Sequence, residues 1–182
     1  AVSVPDGVVT NQSVPVRVTR ADGEPVAATL SVRNRTVSTG ADGVANVSFE
    51  TAGTYAVRAS KAKTDEYVFA DDATNVSVDR RLVRLRVLTS ERSPRVDEET
   101  TVTVRRWDTG EAVNATLSVR NRTVRTGADG VANLSFAAAG EAPVTVRVNR
   151  TPAVRFRSTT TRVDVQRIPV ALAVSVRPNP VP

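Results

Sequence analysis

Cysteine, histidine and methionine are absent from this chain of 182 residues, aromatics make up 4 %, and Lys61 and Lys63 are the only cationic side chains that are not arginine. Each absence removes a class of chemistry. Without Cys there is no disulfide framework, thiolate metal site or Cys nucleophile. Without His there is no Ser-His-Asp triad and no imidazole ligand. No apolar run approaches the roughly 18 residues of a membrane-spanning helix, so no transmembrane segment is expected. The sequence opens at Ala1 without an initiator Met or a basic-then-apolar leader, and reads as a processed or excised chain. What is present is valine, at 35 positions, within a hydrophobic fraction of 40 % that can still fill a core; the length suits one or two domains.

Self-comparison shows a repeat. Residues 28–49 read ATLSVRNRTVSTGADGVANVSF and residues 115–136 read ATLSVRNRTVRTGADGVANLSF, differing only at Ser38/Arg125 and Val47/Leu134. The offset of about 87 persists outward: Tyr67 and Phe69 align with Val154 and Phe156, and Val83, Leu85 and Val87 with Val170, Leu172 and Val174. Ala173–Val176 also repeats the Ala-Val-Ser-Val of Ala1–Val4. The expected organisation is repeat 1 over 1–80, repeat 2 over 81–167, and a C-terminal strand over 168–182.

Within a repeat the period is two. Val14, Val16 and Val18 alternate with Pro15 and Arg17, and Val144, Val146 and Val148 with Thr145 and Arg147, as half-buried strands do. The breaks carry turn residues, as at Ala21-Asp22-Gly23, Ala41-Asp42-Gly43 and Ala128-Asp129-Gly130. No stretch of ten residues shows a capped 3.6 period. Six or seven short strands per repeat predict an all-β protein: two tandem antiparallel β-sandwich domains plus a C-terminal extra strand. Residues 76–83 lack Gly and Pro, which predicts a short, stiff junction between repeats.

An ordered series of motifs supports a resemblance. Gly23-Glu24-Pro25-Val26 is followed by Ala28-Thr29-Leu30-Ser31-Val32, Thr39-Gly40-Ala41-Asp42-Gly43-Val44-Ala45 and Ala52-Gly53-Thr54-Tyr55-Ala56-Val57. The chain resembles the Ig-like repeats of bacterial and archaeal surface proteins, including the invasin/intimin group. The second copy departs at Gly110-Glu111-Ala112-Val113, where Ala replaces Pro, and at Glu141-Ala142-Pro143, where the Thr-Tyr pair is lost. Transthyretin-like and carboxypeptidase regulatory-like sandwiches share much of this turn grammar. The resemblance implies Ig-like domains in an extracellular spacer, adhesin or filament module, and implies no catalysis.

Asparagine placement carries the sharpest chemical signal. Eight of nine Asn begin N-x-[ST] with x not Pro: Asn11, Asn34, Asn46, Asn75, Asn114, Asn121, Asn133 and Asn149. Ser and Thr occupy 35 positions, so chance would place roughly two of the nine in that context. Strand parity agrees, because Asn46, Asn75 and Asn133 fall out of phase with the inward valines. N-glycosylation at these eight positions is expected, with covalent glycans and no other cofactor. That places the chain outside the cell or on its surface. The other reading of the sequons is filler for polar faces.

The remaining candidates read as solvated surface. Residues 1–87 carry 11 basic and 10 acidic side chains, and residues 88–182 carry 14 and 9. The arginines sit on outward strand positions without interleaved aromatics, so nucleic-acid binding is not expected; anionic glycans, lipid headgroups or a neighbour's first half remain open partners. Asp65, Glu66, Asp71 and Asp72 lack calcium-loop spacing. Asp97, Glu98 and Glu99 read as a charged turn, and Trp107 as a hairpin packing residue. No setting activates a Ser, Thr or Lys for catalysis. The last expectation concerns the end of the sequence. Ile168, Val170, Leu172, Val174 and Val176 have inward-type spacing, so 168–182 reads either as a donor strand that completes the sandwich of the next subunit, giving a head-to-tail filament like archaeal threads or chaperone-usher pili, or as the opening strand of a third repeat. The partner is accordingly a second copy or a neighbouring repeat. A carbohydrate- or receptor-binding adhesion module is the reading from a different class.

Overall fold

A computed structural model describes residues 1–175 and contains strands but no helix among them. By contact the chain divides into two units, Ala1–Val83 with Asn149–Phe156, and Arg84–Val148 with the residues from Arg157 onward. The loop 149–156 thus comes from the second repeat in sequence and is counted with the first unit.

The first unit packs a three-stranded sheet on a four-stranded one. β1 (Val2–Ser3), β2 (Ser13–Val18) and β5 (Val44–Ser48) lie in the order β1-β2-β5. β3 (Thr29–Val32), β4 (Arg35–Ser38), β6 (Gly53–Ser60) and β7 (Asp72–Val78) lie in the order β4-β3-β6-β7. All these pairs are antiparallel, and the strand order is that of an Ig-like sandwich. The valine period does the work: Val14 and Val16 on β2, Leu30 on β3 and Val57 on β6 are fully buried, while Ser13, Pro15 and Arg17 face water. Each such side chain contributes about 1.5–3 kcal/mol by leaving water. Parallel pairing accompanies the antiparallel sheets: β8 (Arg81–Val83) runs beside β15 (Val154–Phe156) in the loop 149–156, and Val9 bridges Asp79 in parallel.

The second unit repeats the plan. β9 (Leu85–Thr89), β10 (Thr100–Arg106) and β13 (Val131–Leu134) form one sheet, in the order β13-β10-β9. The other holds β11 (Thr116–Val119), β12 (Arg122–Arg125), β14 (Gly140–Arg147) and β16 (Thr159–Val165), in the order β12-β11-β14-β16. Leu117, Val102, Val104, Val144, Val146 and Val163 fill its centre.

The shared T-G-A-D-G-V-A motif has a physical account. The buried Thr39 hydroxyl donates to the Val26 carbonyl (3.0 Å) and accepts the Ala28 amide (2.7 Å); Thr126 does the same with Val113 and Ala115. Gly43 (φ 70°) and Gly130 (φ 74°) bring the following turn so close that a Cβ would strike the carbonyl oxygens of Val18 and Val104. Asp42 and Asp129 each accept the amide two residues on, closing the turn.

Residues 167–175 keep the sequence alternation of a strand but pair with no strand among the described residues. A ladder needs a neighbouring backbone.

Candidate functional site

The eight sequon asparagines are all exposed. Asn11 lies in the turn before β2 with φ 59°, a left-handed conformation that Asn tolerates. Asn34 and Asn121 sit at the β3–β4 and β11–β12 hairpins, and Asn114 and Asn149 in loops. The three on strands, Asn46 on β5, Asn75 on β7 and Asn133 on β13, each lie on an edge strand of their sheet. None falls on the central β2, β3, β6, β10, β11 or β14, where neighbours on both sides would crowd a sugar. Among the hydroxyls at the third sequon position only Thr116 is half-buried. The Asn133 amide oxygen accepts the Thr101 hydroxyl at 3.1 Å.

The C-terminal stretch is the second feature. Ile168, Val170, Leu172 and Val174 are 56, 77, 92 and 91 % exposed. Their counterparts one repeat earlier, Val83 for Val170 and Leu85 for Leu172, are buried. Val176 lies outside the described residues.

The first unit offers a matching feature that the sequence did not single out. The loop between β6 and β7 places Tyr67 and Phe69 over the end of the sandwich, beside a groove of about 590 Å³ lined by Ala1, Val18, Val26, Ala28, Ala59 and these two rings. The rings lie 6.2 Å apart. The Arg20 guanidinium lies 5.2 Å from the Tyr67 centroid and the Lys61 ammonium 5.0 Å from that of Phe69. Arg20 is held by Asp22 (3.0 Å), whose hydrogen bond raises the arginine's already high pKa. Asp22 is pushed below the usual carboxylate range, first by the Glu24 amide (3.1 Å) and then by Arg20. Asp72 closes the same end, accepting the Val2 amide at 2.7 Å. The sequence marks only the rings, since Tyr67-Val68-Phe69 is a run of three apolar residues inside a long polar loop.

The other candidates fall apart in space or lie open to water. Among the described residues no group of three or more acidic side chains could hold a metal ion. Asp65, Glu66, Asp71 and Asp72 are exposed. Glu98 accepts the Arg95 amide at 2.7 Å, as a turn residue does. Trp107 departs from the hairpin-packing expectation: it is 68 % exposed. The reason is local, because Arg106, bound to Asp108 (2.9 Å) and Glu111 (3.3 Å), organises that hairpin without the indole. Among the described residues no helix is long and apolar enough to cross a membrane.

No family model matches the chain, and no curated protein matches it either. Solved structures similar to it include the bacterial integrin-binding protein invasin, at 17 % identity and a TM-score of 0.48, covering 93 % of this chain and 40 % of that one. The fibronectin(III)-like modules of Clostridium thermocellum CbhA are similar at 14 % identity and a TM-score of 0.36, covering 97 % of this chain and all of that one. The Yersinia pseudotuberculosis adhesin InvE is similar at 14 % identity and a TM-score of 0.39, covering 91 % and 58 %. The chain therefore spans about two fifths of the length of invasin. The fold assignment rests on the strand order described above.

Proposed function

We propose that this chain is a non-enzymatic, N-glycosylated structural module of the cell exterior, whose Ig-like units are strung end to end by donation of the segment 168–182 to the next subunit. The observation that carries this reading is the row of exposed apolar residues Ile168, Val170, Leu172 and Val174 in a stretch that pairs with no strand among the described residues. An apolar stretch with free backbone groups is an aggregation hazard unless a sheet edge receives it. A heterologous, non-closing contact of this kind grows a thread, as in archaeal surface threads and chaperone-usher pili. The exposed sequons support an exported location, and the place of Asn46, Asn75 and Asn133 on edge strands supports linear over sideways growth, since a glycan there blocks edge-to-edge pairing.

Deleting 168–182 tests the reading directly. Folded subunits that no longer form fibres under negative stain are expected; undiminished fibre growth would sink it. Intact mass of natively produced material should exceed the polypeptide mass by several glycans.

The near-identical repeats favour a second reading, a stalk in which the next repeat follows in the same chain and receives 168–182 as its own opening strand. Monodisperse rods in place of fibres would select it.

A further inference from the structure

Two loops of this molecule are built alike and differ in what lies on them. In the loop 62–69 the Thr64 amide donates to the Tyr67 carbonyl (2.8 Å) and the Thr64 hydroxyl accepts the Tyr67 amide (3.1 Å). In the loop 149–156 Thr151 makes both bonds with Val154, at 2.9 and 3.1 Å. There, Val154–Phe156 pairs in parallel with Arg81–Val83, and Val154 is 9 % exposed. The Arg81 amide donates to the Ala153 carbonyl (3.1 Å), and the Arg80 side chain to that of Thr151 (2.9 Å). By contrast, Tyr67–Phe69 pairs with no strand among the described residues, and Tyr67 and Val68 are 48 and 86 % exposed.

We propose that Ile168–Val170 of a second copy of this chain pairs in parallel with Tyr67–Phe69, Ile168 opposite Tyr67 and Val170 opposite Phe69, with Leu172 reaching the apolar groove beside Ala1. This rests on the strand-donation reading and states where the donated strand lands.

Four observations fix the register. The repeat offset carries Arg81–Val83 onto Ile168–Val170, so the tail is the sequence equivalent of the strand that already covers the other loop. Pro169 falls on Leu82. The Arg81 amide faces β15, so by the alternation of a strand the Leu82 amide faces away, and a proline there removes no ladder bond. Arg167 falls on Arg80 and would approach Asp65 and Glu66, where the covered loop has the neutral Pro152 and Ala153; the charge match belongs to the contact between copies alone. Finally, Ala1–Val4 and Ala173–Val176 share one sequence, so Leu172 of the donor arrives where Ala1 of the acceptor begins, and either chain presents the same side chains to β2 beyond it. One contact is not reproduced. The Thr10 hydroxyl donates to the Ala153 carbonyl and accepts the Arg81 amide (3.1 Å), whereas the equivalent position beside Gln166 is Val96.

The test uses the full chain, whose lack of cysteine makes any engineered disulfide unambiguous. Chains bearing Val68→Cys are mixed with chains bearing Pro169→Cys and oxidised. A mixed dimer is expected as the main product, with little from Val68→Cys mixed with Ser175→Cys, whose thiol would lie about 20 Å further along the strand. No mixed dimer, or equal yields from the two mixtures, would overturn the docking position. Sedimentation separates this result from the parent reading. Tyr67→Ser should weaken self-association about tenfold and leave the fold intact, because the ring is half exposed. Deletion of 168–182 should abolish association. If the deletion abolishes it while Tyr67→Ser does nothing, donation stands and this landing site falls; if the deletion does nothing, both fall.

Discussion

At the start of β6 and β14 the two repeats fill one corner differently. In the first, Tyr55 is buried at 4.7 Å from Phe49, its hydroxyl donates to the Thr51 carbonyl (2.6 Å), and the Arg33 guanidinium stacks 4.2 Å from its ring centre. In the second, the same position is Ala142, fully buried beside a strand of the same length and register, and Phe136 is buried without a tyrosine partner. The backbone is therefore specified by the central valines and leucines, and the tyrosine corner is a local addition. Tyr55→Ala should cost about 3–5 kcal/mol, because the first repeat has no substitute packing for the lost ring. Tyr55→Phe should cost about 1 kcal/mol for the hydroxyl alone. Urea denaturation with hydrogen exchange on β6 and β14 would check both, with the loss confined to β6; a Tyr55→Ala chain as stable as the parent would break the comparison.

Where the repeats are nearly identical, they should fail identically. Gly43 and Gly130 combine positive φ with a carbonyl at the place a Cβ would occupy. Gly43→Ala and Gly130→Ala should each cost at least about 2 kcal/mol, and by the same amount. Neighbouring backbone reinforces this: the Val26 amide nitrogen lies 3.0 Å from the hypothetical Cβ at Gly43, and the Val113 nitrogen 3.1 Å from that at Gly130. Unequal losses in thermal denaturation would show that the turn is braced differently in the two units.

A third contrast runs the other way. The β2 position held by Val14 is held in β10 by Thr100, as the pairings Val14↔Val47 and Thr100↔Leu134 show. Thr100 is fully buried and its hydroxyl has no hydrogen-bond partner among the described residues. Burying a hydroxyl without a protein partner is unfavourable, so Thr100→Val should stabilise the second unit by about 1–2 kcal/mol. Val14→Thr should destabilise the first by a similar amount. A lower urea midpoint for Thr100→Val would refute the symmetry assumed here.

These contrasts also show what could be read from the chain alone. The period of two placed Val14, Val16, Val144 and Val146 in the core, because alternation is imposed by the pleat itself. Asn46, Asn75 and Asn133 could be placed on the outer face by the same parity. The groove at Tyr67 and Phe69 could not, because loop residues have no period and their neighbours come from Val18, Val26 and Ala59, far off in sequence. The exposure of Trp107 was equally hidden: it depends on how Arg106 divides its hydrogen bonds between Asp108 and Glu111. The pairing of β8 with β15 required knowing which loop lies where. Side-chain parity can be read locally, whereas parallel partners about 70 residues apart cannot.

The smallest effect concerns the charged hairpins. Asp22 sits in the first repeat's hairpin, with its pKa lowered by the Glu24 amide and by Arg20. A carboxylate depressed in the folded state adds stability that is present above its unfolded pKa, near 3.8, and is lost as pH falls through its folded value. Stability attributable to Asp22 should therefore be constant from neutral pH down to about 5 and fade in the acid range below 4. Because the pair is exposed, salt should mute even this contribution. The check is a comparison of the parent with Asp22→Asn: their denaturation midpoints should differ slightly at neutral pH and low salt, and converge in strong acid. A difference that instead grew on acidification would mean that the carboxylate is destabilising where it sits. The Glu24 amide would then be better served by a neutral acceptor.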